Sequence, residues 1–164
     1  MRYLLLFVLG LPVSAATYYF NIGGLGGQED YESRFKGNVE ELDKLTRAVP
    51  DGKVFSLTGA LAVKAKIKDT FAQIAREAKP EDNLVITLIG HGTFDGLDYK
   101  FNLPGADMSA KELGIWMTAI AAKRQLIVNT TSASGGSLAD LRHEGRTVIT
   151  ATKAGTEKLS TVFP

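Results

Sequence analysis

Residues 84–89 read LVITLI, a run with no charge and almost no polar side. A segment this short is a strand rather than a helix. A strand without a polar face must be covered on both sides, which is the habit of parallel sheets inside α/β proteins. Its flanks repeat the theme. Residues 17–22 (TYYFNI), 54–58 (VFSLT), 125–130 (QLIVNT) and 147–151 (TVITA) are rich in aromatic and β-branched side chains, each bounded by glycine, serine or proline. Between them, apolar residues recur at helical spacing: Val39, Leu42 and Leu45 before Pro50, then Val63, Ile67, Phe71, Ile74 and Ala78 before Pro80. A third set, Leu113, Trp116, Met117 and Ile120, follows the capping box that Ser109 and Glu112 make, and a short helix is expected at 138–141. Residues 93–107 are polar, glycine-rich and aperiodic, and read as a surface loop. The order β-α-β-α-β-α-β-α-β predicts an α/β fold, a mostly parallel open sheet with helices on both faces.

The 164 residues suit one domain. Its start is set by the N-terminus, where Arg2 precedes eleven apolar residues (3–13), too few to cross about 30 Å of hydrocarbon as a helix. Small residues at 13–16 follow, where a signal peptidase would cut after Ala15 or Ala16. The expected organisation is a signal peptide at 1–16 and an α/β domain at 17–164, exported to a periplasm or secreted, with no membrane contact once the leader is gone. Nineteen basic against eighteen acidic residues leave no electrostatic footprint for nucleic acid. The absence of cysteine excludes disulfides, thiolate metal sites and thiol nucleophiles.

Ligands of open α/β sheets bind beyond the carboxyl ends of the strands. Three such ends carry candidates. The glycine run 23–27 invites a dinucleotide reading, yet Glu29 stands where the third glycine of G-x-G-x-x-G belongs, and no phosphate-loop motif occurs. No cofactor is expected, and the run reads as a flexible loop beside a site. His91 and His143 form no H-x-x-x-H pair, and Asp95 and Asp98 fit no calcium loop, so no metal is expected. His143 lies in a polar turn and reads as solvated. His91 stands between two glycines directly after the most apolar strand, where imidazole and backbone N–H groups can face a ligand together. Ser132 leaves the fourth strand through small residues, near amides suited to an oxyanion. Neither Ser132 nor Ser134 sits in a G-x-S-x-G elbow.

Two segments resemble a known family. "DNLVITLIGHGTFDG" (82–96) is similar to the strand ending in His-Gly of the caspase–legumain–gingipain clan of cysteine peptidases. "RQLIVNTTSASGGSL" (124–138) resembles the following strand, which ends in Cys-x-Ser-Gly in legumain-like members. "YESRFKGNVEEL" (31–42) and "RTVITATKAGTEKLSTVF" (146–163) extend the likeness over most of the chain. The resemblance implies a caspase-haemoglobinase-like sheet and a peptide or protein substrate. His91 falls on the catalytic histidine, Gly92 on the glycine whose N–H helps form the oxyanion hole, and Ser132 on the nucleophile. The backbone of Ser132 would complete that hole. Arg34 falls on the arginine of the substrate side-chain pocket. Two departures stand out: Ser132 replaces cysteine, and Gly90 replaces the acidic residue that legumains carry before the histidine. Relatives also continue past the position of Pro164 with at least one more strand, so the resemblance implies a fold cut short there.

Serine changes the chemistry demanded of the site. A hydroxyl is far less acidic than a thiol and needs a base in close contact, usually oriented by a third group; Asp95 and Asp98 are the nearest acids in sequence. Three accounts fit Ser132: a working serine nucleophile, a silent relative, or a Cys→Ser replacement. The first makes the chain a peptidase-like hydrolase with a His91–Ser132 pair. The second makes it an inactive domain that binds an extended peptide in the old groove. An unrelated doubly wound module is the third possibility for the fold.

Overall fold

The computed structural model describes residues 15–154. Residues 1–14 of the expected leader (1–16) and residues 155–163 of the family resemblance lie outside them. In chain order the elements are β1 (Thr17–Gly23), α1 (Glu29–Arg47), β2 (Gly52–Leu57), α2 (Lys64–Glu77) and β3 (Asn83–Ile89). They continue as β4 (Gly92–Phe94), β5 (Tyr99–Phe101), β6 (Met108–Ser109), α3 (Ala110–Thr118), β7 (Arg124–Asn129), α4 (Leu138–Leu141) and β8 (Arg146–Thr150). Five strands form one parallel sheet in the order β2-β1-β3-β7-β8.

Alternation along the strands sorts the core into two layers. Tyr18, Phe20 and Ile22 of β1 share a face with Leu84, Ile86 and Leu88 of β3 and Ile127 of β7. Against that face lie Ile67, Phe71 and Ile74 of α2, Leu113 and Met117 of α3, and Leu141 of α4. Phe20 and Phe71 meet edge to face at 5.2 Å, and truncating a phenylalanine buried this way costs about 3–5 kcal/mol. On the opposite face, Phe35 and Val39 of α1 pack against Ile89, with Tyr31 and Leu42 beside them. The molecule is therefore an open α/β sheet with helices on both faces. Among the described residues no helix is long and apolar enough to cross a membrane.

The capping box expected at Ser109 forms: its Oγ accepts the Glu112 N–H at 3.1 Å, and Glu112 Oε2 accepts the Ser109 N–H at 2.9 Å. Two expectations need correction. Residues 93–107 are not a surface loop, because β4, β5 and β6 pair there as a small antiparallel sheet that buries Tyr99, Phe101 and Leu103. Strands of two or three residues are too short to show a period in the sequence. Leu45 is not part of the buried stripe of α1, being 58% exposed. The inward stripe runs from Phe35 through Val39 to Leu42, and Thr46 takes the next sheet-facing position, within 3.5 Å of the buried Asn21 amide.

Candidate functional site

The strand order reverses direction between β1 and β3. From β1 the chain moves outward to β2, whereas from β3 it moves the other way to β7 and β8. Such a switch point leaves a crevice at the carboxyl ends of the two central strands. The glycine run after β1 and Gly90-His91-Gly92 after β3 meet there.

The glycine run is not a free cradle. Gly24 N–H donates to Ile89 O at 2.8 Å, Leu25 N–H to Asn102 O at 2.9 Å, and Gly26 N–H to Glu32 Oε1 at 2.8 Å. The first turn of α1 carries Glu29, Asp30 and Glu32. With three amides engaged and acids at the helix start, this loop repels the phosphate that a nucleotide would bring. It is also tied down more firmly than the sequence suggested.

Both glycines beside His91 are demanded by space. Gly90 has φ 152°, and a Cβ there would lie 3.1–3.2 Å from the Phe101 ring and the Gly24 backbone. A side chain at this position would need the Phe101 ring and the Gly24 backbone to give way by a few tenths of an ångström, on a backbone conformation that L residues rarely adopt. A Cβ on Gly92 would meet Ser132 O and Thr131 Oγ1 at 2.5 Å and the Tyr99 ring at 2.7 Å. The backbone after β3 thus touches the backbone after β7. The β3–β7 ladder leads to the same point: its last pair is Leu88 with Asn129, three residues before His91 and Ser132. Thr130 N–H donating to Leu88 O continues the ladder past the strand end.

The His91 ring is half-buried among aromatics. Tyr31 lies at 4.7 Å and Phe35 at 5.1 Å, both near perpendicular to it. The exposed Arg34 guanidinium stacks over Tyr31 at 4.7 Å and makes no ion pair among the described residues. Arg34, Tyr31 and His91 consequently form one contiguous patch that the first three turns of α1 bring to the switch point. Asp95 does not join it. That carboxylate accepts the N–H groups of Asp98 and Leu97 inside the β4–β5 turn, and those bonds hold it below the usual carboxylate range. Asp98 sits exposed in the same turn, beyond the far end of β4 from His91. Among the described residues no acid is hydrogen-bonded to the His91 ring.

Ser132 stands on a different kind of support. It is 7% exposed and precedes Ala133, which adopts a left-handed conformation at φ 53°. Beneath it runs a buried chain of hydrogen bonds. Tyr99 OH lies 2.5 Å from Thr131 Oγ1 and 3.3 Å from Asn129 Oδ1, and Thr131 Oγ1 lies 2.8 Å from Asn129 Oδ1 and 3.1 Å from Ser132 O. Asn129 Nδ2 donates to Ser137 Oγ at 3.2 Å, and Ser137 Oγ donates to Ser134 O at 2.6 Å. Ser134 Oγ accepts Thr152 N–H at 3.1 Å, so it is a structural hydroxyl rather than a rival nucleophile. Burial pushes the Tyr99 phenol up to about 12, its bonds to Thr131 and Asn129 pulling the other way.

Next to this turn, Phe94, Gly135, Gly136, Leu138, Ala139, Arg142 and Ala154 line an open cleft of about 450 Å³. His143 is exposed, its ring against Glu144 O. No group of three His, Asp or Glu among the described residues is placed to hold a metal. Of the residues the sequence pointed to, Gly92 lies against the Ser132 carbonyl, while the His91 ring packs on Tyr31 and Phe35 of α1 beside Arg34. Sequence reasoning missed Tyr31, Phe35 and Tyr99. The spacing of Tyr31, Phe35, Val39 and Leu42 carried the first two.

No protein-family model matches the chain, and no curated protein sequence does. Solved structures do resemble it. Protein GSU0716 from Geobacter sulfurreducens superposes with a TM-score of 0.55 at 15% identity, over 73% of this chain and 50% of that one. Raptor from Chaetomium thermophilum gives 0.54 at 12% identity, over 77% of this chain and 12% of that one. This chain spans half of the first protein's length and a small part of the second's. At such identities the likeness shows a shared α/β fold alone.

Proposed function

We propose that the chain is a caspase/legumain-like peptidase domain in which His91 and Ser132 hydrolyse a peptide bond. The observation that supports this reading is the close approach of the two turns: Gly92 lies against the Ser132 carbonyl, and the β3–β7 ladder runs up to Leu88 opposite Asn129, three residues before each candidate. In this scheme Ser132 Oγ attacks the scissile carbonyl while His91 takes its proton. The developing oxyanion is met by the Gly92 N–H, and His91 returns the proton to the departing amine. Water then releases the acyl group by the same steps in reverse. Arg34 would hold an acidic or amide-bearing side chain before the scissile bond through charge-assisted hydrogen bonds. We further read the chain as exported, its leader removed.

The full-length protein should cleave members of a fluorogenic peptide library, and His91→Ala and Ser132→Ala should each abolish that cleavage. Unchanged activity in both variants sinks the assignment. A second reading, a catalytically silent peptide-binding domain of this fold, is favoured by the His91 ring packing on Tyr31 and Phe35 with no acid hydrogen-bonded to it among the described residues. In that case the wild type is inactive and binds peptide, and Ser132→Cys gains a measurable rate.

A further inference from the structure

The start of β1 is fastened in an unusual way. Ala16 N–H donates to Asp82 Oδ1 at 2.9 Å, and Ala16 O accepts the Asn83 N–H at 2.9 Å. Asp82 is only 5% exposed, and its other oxygen accepts the Lys79 N–H at 2.8 Å. A buried carboxylate is therefore held by two neutral amides. Among the described residues no cation lies within ion-pair distance of it; Lys53, on the adjoining edge strand, feels its charge from farther off and is taken up by Tyr18 OH at 2.7 Å and Glu77 at 3.7 Å. Buried carboxylates ordinarily have a charged partner.

We infer that the leader is removed between Ala15 and Ala16, and that the ammonium group this creates on Ala16 is the partner of Asp82. The proposal rests on the export reading and is independent of the hydrolase reading. A signal peptidase breaks the Ala15–Ala16 C–N bond with one water. The hydroxyl goes to the Ala15 carbonyl, giving a carboxylate, and the amine leaves protonated as Ala16. The new cation arises on the very nitrogen that already donates to Asp82, at a distance suited to an ammonium–carboxylate bond. Val13 and Ala15 then occupy the small-residue positions that a signal peptidase reads. Cutting one residue later, after Ala16, removes both the donor to Asp82 Oδ1 and the acceptor of Asn83 N–H. The structure thus separates two cleavage points that the sequence leaves equivalent, and it makes processing a stabilising event.

Two measurements test this. The full-length chain is expressed with its own leader in a Gram-negative host, and the exported product is weighed intact. An N-terminus at Ala16 is expected, and one at Thr17, or an unprocessed chain, overturns the cleavage point. Separately, chains running to Pro164 are released from a fusion that leaves no extra residue, one beginning at Ala16 and one at Gly-Gly-Ala16. The extension keeps the N–H donor and moves the charge away. The chain beginning at Ala16 should melt about 2–4 °C higher, and Asp82→Asn should erase the difference. Equal melting of the two Asp82 chains overturns the ion pair whatever the exported mass.

Discussion

The turns after β3 and β7 lie against each other but are built by opposite means. The turn after β3 carries His91 on two glycines and wedges its ring between Tyr31 and Phe35, with no acid bonded to it among the described residues. The turn after β7 carries Ser132 on a buried hydrogen-bond chain from Tyr99 through Thr131, Asn129, Ser137 and Ser134 to Thr152. Sterics fix the first and polar bonds fix the second. A buried network with every member satisfied specifies one geometry, whereas aromatic packing leaves a ring's small rotations less constrained. The fold therefore holds the Ser132 backbone by polar bonds and the His91 ring by packing, so in the proposed pair the base is the less firmly oriented partner.

The contrast can be broken at the point of contact. Gly92→Ala pushes a Cβ into the Ser132 carbonyl, Thr131 Oγ1 and Tyr99 at once, and overpacking of this kind should destabilise by about 3 kcal/mol in urea unfolding. The next effect belongs to the polar turn alone. The Tyr99 phenol stands at about 12 in the folded chain against 10.0 when unfolded. Its contribution is complete below pH 10 and is lost as pH rises through 12, because the folded state binds more protons in that window. The loss should reach about 2–3 kcal/mol and vanish in Tyr99→Phe, as pH-dependent unfolding of the two proteins will report.

On the aromatic side the expected changes are smaller. His91→Phe preserves the ring contacts and should alter stability by less than about 1 kcal/mol, yet it removes the proposed proton acceptor and should reduce the proposed hydrolysis to background. Arg34→Ala strips an exposed guanidinium and should leave stability within about 0.5 kcal/mol. Its mark should be a raised KM for substrates with Asp or Asn before the scissile bond.

The sequence exposed the two turns unequally. His91 stood out because a nearly apolar strand ends at a glycine–histidine–glycine triplet, and Ser132 because small residues follow a second strand. The parallel sheet followed from alternation of strand and helix patterns. Tyr99 was not legible. It lies about thirty residues from its partners in three-residue β5, within a stretch whose glycines and charges read as loop. Hydrogen bonds across such separations leave no local period, and only the alternation of Tyr99 and Phe101 hinted that one face was buried. The crowding at Gly90 was equally hidden, because Gly24 and Phe101 reach it from elsewhere in the chain.

Covalent labelling of the folded protein with an alkyl fluorophosphonate tests the pairing of the two turns most directly, since the reagent reports a serine made nucleophilic by a neighbouring base. The account predicts a single adduct on the tryptic peptide 125–142, placed by fragmentation on Ser132 and lost in His91→Ala. An adduct on Ser134 or Ser137, labelling undiminished in His91→Ala, or no adduct at all would contradict it.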